Sequence, residues 1–194
     1  MIEKGGTHML NIINDLTDIA KIEAGHINVH ISACNVNVQI KYIYDFFKPE
    51  VESKGMQLLF QNGLPSQVSI IQSDHEKILA VLTNLVKNAI KYSDTGTIEF
   101  GYYLKPLSDP PELLFYVKDT GIGIPRDKKE AIFDRFVQAD SADIKALQGA
   151  GLGLSIAKAY VEMLGGKLWV DSEEGKGSIF SFTILYNNVE PKEK

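Results

Sequence analysis

A single cysteine, Cys34, stands in a chain of 194 residues. No intrachain disulfide can staple this fold, and a reducing compartment suits it. No run approaches the roughly 18 consecutive apolar residues of a membrane span, and no charged-then-apolar leader opens the chain. A soluble, cytoplasmic domain is therefore expected, with any membrane anchor lying in a longer parent protein. Positive charge is not in excess either: 20 Lys and Arg against 25 Asp and Glu leave a net −5, which argues against a general nucleic-acid binder. Internal repeats and low-complexity tracts are absent.

What is present is the balance of a globular protein, 44% apolar and 23% charged. A domain of this length buries about 70% of its unfolded surface and needs no metal staple. Met9, Ile12, Ile13, Leu16, Ile19 and Ala20 recur at spacings of three and four, predicting an amphipathic helix over 7–24 that stops at Gly25. Ile27, Val29 and Ile31 alternate, predicting a short strand at 27–33. A second helix is expected over 36–53, with Pro49 inside it. Mixed α/β structure follows. Strands are predicted at 57–60, 68–71, 97–104, 113–118, 167–172 and 178–185. Helices are predicted at 74–92, 127–134 and 152–164. Ser73 and Glu76 read as a capping box opening the 74–92 helix. The long stretch 125–149 has the proportions of a functional lid.

Four motifs carry chemistry. On the 74–92 helix Asn84, Asn88 and Lys91 share one face, with Tyr92 at its end. Ile78, Val81, Leu82, Leu85 and Ala89 form the opposite stripe. Amide oxygens can ligate Mg²⁺ and an ammonium can meet a phosphate, although a plain solvated face looks the same. Asp119-Thr120-Gly121-Ile122-Gly123-Ile124 follows an apolar strand. It reads equally as an ordinary turn or as a carboxylate beside a loop that a flat ligand can approach closely. Phe133-Asp134-Arg135-Phe136 is either a short helix whose phenylalanines pack and whose charges face water, or an arginine held near a phosphate. Gly149-Ala150-Gly151-Leu152-Gly153-Leu154 opens the last helix, where free N–H groups and the helix dipole favour an anion. It lacks the Lys-Ser/Thr pair of a P-loop.

In this order, over roughly residues 36 to 186, the four motifs resemble the N, G1, F and G2 boxes of the histidine-kinase catalytic domain, whose fold is shared with gyrase B, Hsp90 and MutL. The resemblance implies ATP and Mg²⁺ as cofactors. It implies that Asn88 ligates the metal, that Asn84 lies beside the phosphates, that Lys91 contacts phosphate and that Tyr92 stacks near adenine. Asp119 would bind the adenine amino group, with Gly121 and Gly123 shaping the pocket and Ile124 against the base. Gly149, Gly151, Leu152, Gly153 and Leu154 would close over the phosphates, and Arg135 would assist transfer. Gln148 and Ala150 depart from the Gly and Thr common before Gly-Leu-Gly-Leu.

Hydrolysing relatives carry a glutamate where Asn84 stands, and an amide cannot act as that general base. This favours a kinase over an ATPase, with an ATP-responsive binding module as the other alternative. Residues 8–25 resemble the second helix of the kinase dimerisation and phosphotransfer domain, implying a homodimeric parent and a response-regulator receiver domain as partner. None of His8, His26, His30 and His75 has the sequence context of a phosphoacceptor: Ala80 stands where proline would follow His75-Glu76. The acceptor histidine is expected outside this chain. The expected fold is α+β, a two-layer sandwich of about five mixed strands covered on one face by about three helices. Residues 1–25 would be the end of the phosphotransfer domain and residues 26–194 the ATP-binding domain.

Overall fold

A computed structural model describes residues 2–137 and 151–187. Helix α1 (Ile2–Glu23) leads into strand β1 (Ser32–Asn35), helix α2 (Val36–Ser53), β2 (Gln57–Gln61), β3 (Ile70–Ser73) and α3 (His75–Tyr92). Strands β4 (Thr97–Leu104) and β5 (Glu112–Asp119) follow, then α4 (Gly153–Met163), β6 (Leu168–Glu173) and β7 (Gly177–Leu185). Five strands form one sheet in the order β2-β4-β5-β7-β6, and β1 and β3 form a separate antiparallel pair. Only the β2–β4 pairing in the large sheet is parallel. The two-layer α+β architecture with a mixed five-stranded sheet is the one expected.

Alternation builds the core. Leu113, Phe115 and Val117 point from β5 into the core and are fully buried. Cross-strand register sets Phe115 between Tyr102 and Phe182, with ring centroids at 5.3 and 4.7 Å. Such pairs hold neighbouring strands together. The predicted α3 stripe, Ile78, Val81, Leu82, Leu85 and Ala89, is buried against this layer. With one α3 face consumed by packing, Asn84 and Asn88 are left half-buried on the other. Helix α2 runs unbroken through Pro49, and α2, α3 and α4 lie over one sheet face, touching β2, β4 and β5, and β6 and β7 respectively.

Four local expectations are corrected. Residues 27–31 form no strand, because side chains take their backbone groups: the His30 N–H donates to Asp74 Oδ2 at 2.9 Å and the Asn28 carbonyl accepts from Lys77 Nζ at 2.8 Å. The strand placed at 68–71 begins at Ile70, since Ser66–Val68 form a 3₁₀ turn. Ser73 belongs to β3, and α3 is capped by Asp74, whose Oδ1 accepts from the Glu76 and Lys77 amides at 3.1 Å each. The helix expected at 127–134 is two 3₁₀ turns, Arg126–Lys128 and Ala131–Phe133. Among the described residues, no helix is long and apolar enough to cross a membrane.

Candidate nucleotide site

The C-terminal ends of α3 and β5 meet the N-terminus of α4 at one edge of the sandwich. Asp119 is the last residue of β5 and is buried. Its Oδ1 accepts the Gly121 N–H at 2.8 Å, which leaves carboxylate capacity for another donor. Burial pushes this carboxyl above the usual carboxylate range, and the amides of Gly121 and Ser178 only partly offset the rise. A buried acceptor with free lone pairs is suited to a neutral N–H donor such as an exocyclic amine.

Gly121 lies where no side chain fits. A Cβ there would run into the Tyr92 carbonyl and sit 2.8 Å from Ser93 Oγ and 2.9 Å from Asp119 Oδ1. The next amide, Ile122 N–H, donates to the Tyr92 carbonyl at 3.2 Å. The glycine loop is thus laid directly on the end of the asparagine helix. Gly123 has φ +70 and packs against the Glu173 backbone. Ile124 is buried, and its N–H donates to Ser172 Oγ at 2.9 Å. Ser172 in turn bonds the Gly177 carbonyl at 2.8 Å and lies 3.0 Å from Ser178 Oγ. Ser178 pairs with Asp119 across β5 and β7.

On α3, Asn84, Asn88, Lys91 and Tyr92 are all half-buried. Lys91 Nζ sits 4.8 Å from the Tyr92 ring centroid, a cation–π contact. The α4 N-terminus abuts the asparagine face: a side-chain carbon at Gly153 would lie 3.2 Å from Asn84 Oδ1. Leu152 is fully buried and Leu154 packs on the core, so the leucines anchor the loop. Phe136 N–H donates to the Gly151 carbonyl at 3.2 Å, and Phe133 packs edge-on against Phe180 at 6.3 Å. The structure therefore brings together Asn84 and Gly153, Tyr92 and Gly121, and Phe136 and Gly151. Gly149 lies outside the described residues. The Arg135 guanidinium is paired with Glu23 of α1.

Two features of this edge were not read from the sequence. Ser172 and Ser178 brace the glycine loop, and nothing in a lone strand serine announces that. Ser93 caps α3 beside Asp119 and is fully buried.

A mixed five-stranded sheet under three helices, with a glycine loop laid on the end of α3, defines an ATPase-like fold class. The chain belongs to the histidine kinase-, DNA gyrase B-, and HSP90-like ATPase family, whose model matches residues 73–188. It is a catalytic ATP-binding domain of the sensor histidine kinase kind. It is 36% identical over 191 residues to the autoinducer 2 sensor kinase/phosphatase LuxQ of Vibrio vulnificus (strain YJ016), covering 97% of this chain and 22% of that protein. It is 36% identical over 180 residues to the sensor histidine kinase WalK of Bacillus subtilis (strain 168), covering 92% and 28%. The chain thus spans about a quarter of the length of these relatives. Among solved structures, full-length ShkA in complex with AMPPNP superposes with a TM-score of 0.82 at 26% identity, covering 96% of this chain and 37% of that one. The catalytic domain of histidine kinase ThkA superposes with a TM-score of 0.68 at 28% identity, covering 81% and 97%.

Proposed function

We propose that this chain binds Mg-ATP at the edge between α3, β5 and α4 and presents it for transfer of the γ-phosphoryl group to a histidine outside the chain. The observation that carries this reading is the convergence on Asp119: a buried carboxylate with spare acceptor capacity, beside a loop too tight for any residue but glycine. Asp119 accepts from the adenine amine. Gly121 and Gly123 let the base approach, with Ile124 as an apolar wall and the Tyr92 ring beside it. Lys91 meets phosphate.

Mg²⁺ fits the side chains present. Among the described residues no cluster of three His, Cys, Asp or Glu could hold a metal. An amide oxygen on Asn88 together with substrate phosphates is the arrangement this small, hydrated ion favours. When bound, the metal neutralises phosphate charge during transfer. Asn84 sits against the α4 N-terminus, where Gly151 and Gly153 leave backbone N–H groups for phosphate oxygens. Being an amide, it cannot deprotonate water, which suppresses hydrolysis in favour of transfer. Gly149 and Arg135 complete the phosphate side, Arg135 after release from Glu23.

In the parent protein, residues 1–25 are the end of a homodimeric phosphotransfer domain and residues 26–194 the ATP-binding domain. A response-regulator receiver takes the phosphoryl group onward, and the reaction runs in the cytoplasm. The test is to mix the chain with Mg-ATP labelled at the γ-phosphate and a separate helical bundle carrying the acceptor histidine. Acid-labile, alkali-stable label on that bundle is expected. Bound ATP with no transfer to the cognate bundle would reduce the chain to an ATP-responsive module.

A further inference from the structure

Helix α3 ends without the glycine that commonly closes a helix. Ser93 follows Tyr92 in an extended conformation, so the carbonyls of the last turn must find partners elsewhere. Other elements tie two of them. The Tyr92 carbonyl accepts the Ile122 N–H of the glycine loop at 3.2 Å, and the Ile90 carbonyl accepts Lys54 Nζ at 2.7 Å. Lys54 comes from the turn between α2 and β2, and that turn is itself fixed. Its Lys54 N–H donates to the Val51 carbonyl at 3.2 Å and its Gly55 N–H to the Glu52 carbonyl at 2.9 Å. The Gln57 N–H reaches the Gly96 carbonyl at 3.0 Å, just past the end of α3. An ammonium at a helix C-terminus satisfies a carbonyl and opposes the negative end of the helix dipole. The turn that Lys54 serves is the one that carries Lys91 and Tyr92.

We propose that Lys54 is a positioning residue for phosphate binding: by capping the last turn of α3, it holds Lys91 where its ammonium meets the phosphates of bound ATP. The inference rests on the nucleotide site proposed above. Lys91 stands one residue from the end of α3, where a helix frays first when its carbonyls lack partners. Its ammonium lies 4.8 Å from the Tyr92 ring centroid, so a turn that unwinds carries both side chains with it. Lys54 itself touches no ligand; it acts through Lys91.

The experiment measures Mg-ATP affinity by calorimetry for the full chain and for Lys54→Met, Lys54→Arg, Lys91→Met and the Lys54→Met, Lys91→Met double variant. Lys54 is exposed, so these changes leave the core intact. Lys54→Met should weaken ATP binding about fivefold to tenfold. Lys54→Arg can still donate to the carbonyl and should stay within about twofold of wild type. In the Lys91→Met background, Lys54→Met should add less than about twofold, because a residue that acts through Lys91 has nothing left to position. A residue that only supports the fold, or whose charge only attracts the anion, would weaken binding by the same factor in both backgrounds, and that result overturns the proposal. If Lys91→Met binds ATP poorly while Lys54→Met binds it like wild type, this inference fails and the site stands. If Lys91→Met leaves ATP affinity unchanged, the phosphate contact of the site is misplaced and the inference falls with it.

Discussion

In the proposed site, one carboxyl, Asp119, would set both ATP affinity and its pH dependence. The ionised form is the stronger acceptor for an amine and offers no competing O–H donor, and burial raises this group above its ordinary range. ATP affinity should therefore fall on acidification at a pH above the ordinary carboxylate value of about 4. The same raised pKa makes Asp119 a stability cost while ionised, relieved as pH falls through its folded-state value. Asp119→Asn should keep the fold, weaken ATP by about tenfold to a hundredfold, and erase that acid limb. Calorimetry across a pH series checks all three outcomes, and an asparagine variant that keeps the acid limb would assign it to another group. Gly121 makes a different claim. A methyl there meets the backbone oxygen of Tyr92 rather than a side chain that could swing away. Gly121→Ala should cost about 1–3 kcal/mol of stability by overpacking, read from denaturant unfolding, and should lower ATP affinity with it. The chemistry proposed for both residues was readable only from the four motifs in order, because Asp-Thr-Gly-Ile-Gly alone reads equally as an ordinary turn. The serines that brace them were not, since Ser172 and Ser178 become partners of the loop only once β6 and β7 fold beside it.

At the scale of elements, α3 joins the site to the rest of the chain. Its first residues form a buried knot: Lys77 Nζ lies 2.6 Å from Asp74 Oδ2 and also holds the Asn28 carbonyl, while Asp74 caps the helix and takes the His30 amide. The segment after α1 is thereby fastened to the start of the helix whose other end carries Lys91 and Tyr92. Burial alone would push the Asp74 carboxyl up, but the Lys77 ammonium and the His30 and Lys77 amides outweigh it and hold it low. Lys77→Met strands that carboxylate and should cost about 3–5 kcal/mol. A depressed carboxyl stabilises above its unfolded pKa and stops doing so as pH falls through the folded value. The gap between wild type and Lys77→Met should thus narrow once pH falls below about 4 and close only as it passes the lower folded value, and denaturant melts in steps from pH 7 to about pH 2 would show it. A gap that stays constant over that whole range would mean lost packing rather than lost charge. This knot also explains what the sequence concealed. The alternation of Ile27, Val29 and Ile31 is real, and the first two pack on the core, but backbone groups claimed by side chains cannot join a ladder. Ser73 and Glu76 have the spacing of a capping box, yet Asp74 is one residue better placed. The long periodic helices were legible because burying a stripe fixes their phase. The 3₁₀ turns near residue 130 were not, because short segments take their form from neighbours.

For the whole molecule, the question is where the catalytic body begins. The resemblance of residues 8–25 to a phosphotransfer helix would put a boundary at residue 25, and Met9, Leu10, Ile13 and Leu16 are exposed along α1. The C-terminal half of α1 behaves differently. Ile19 is buried in the main core and Ile22 packs against it. The Tyr160 hydroxyl of α4 is pushed up to about 12, first by burial and then by the Asp18 carboxylate it bonds. Glu23 engages Arg135. Half of α1 is thus seated on the catalytic body, although no proposed nucleotide contact lies in it. Deleting residues 1–25 should lower the melting temperature by about 4–10 °C, the loss of one or two buried isoleucine seats. It should change ATP affinity by no more than about threefold, since an exposed ion pair such as Glu23–Arg135 is worth little. Calorimetry and melting on the shortened chain would separate the two effects. A melting temperature that does not move would make α1 a passenger, and an affinity loss beyond tenfold would bring α1 into the nucleotide site itself.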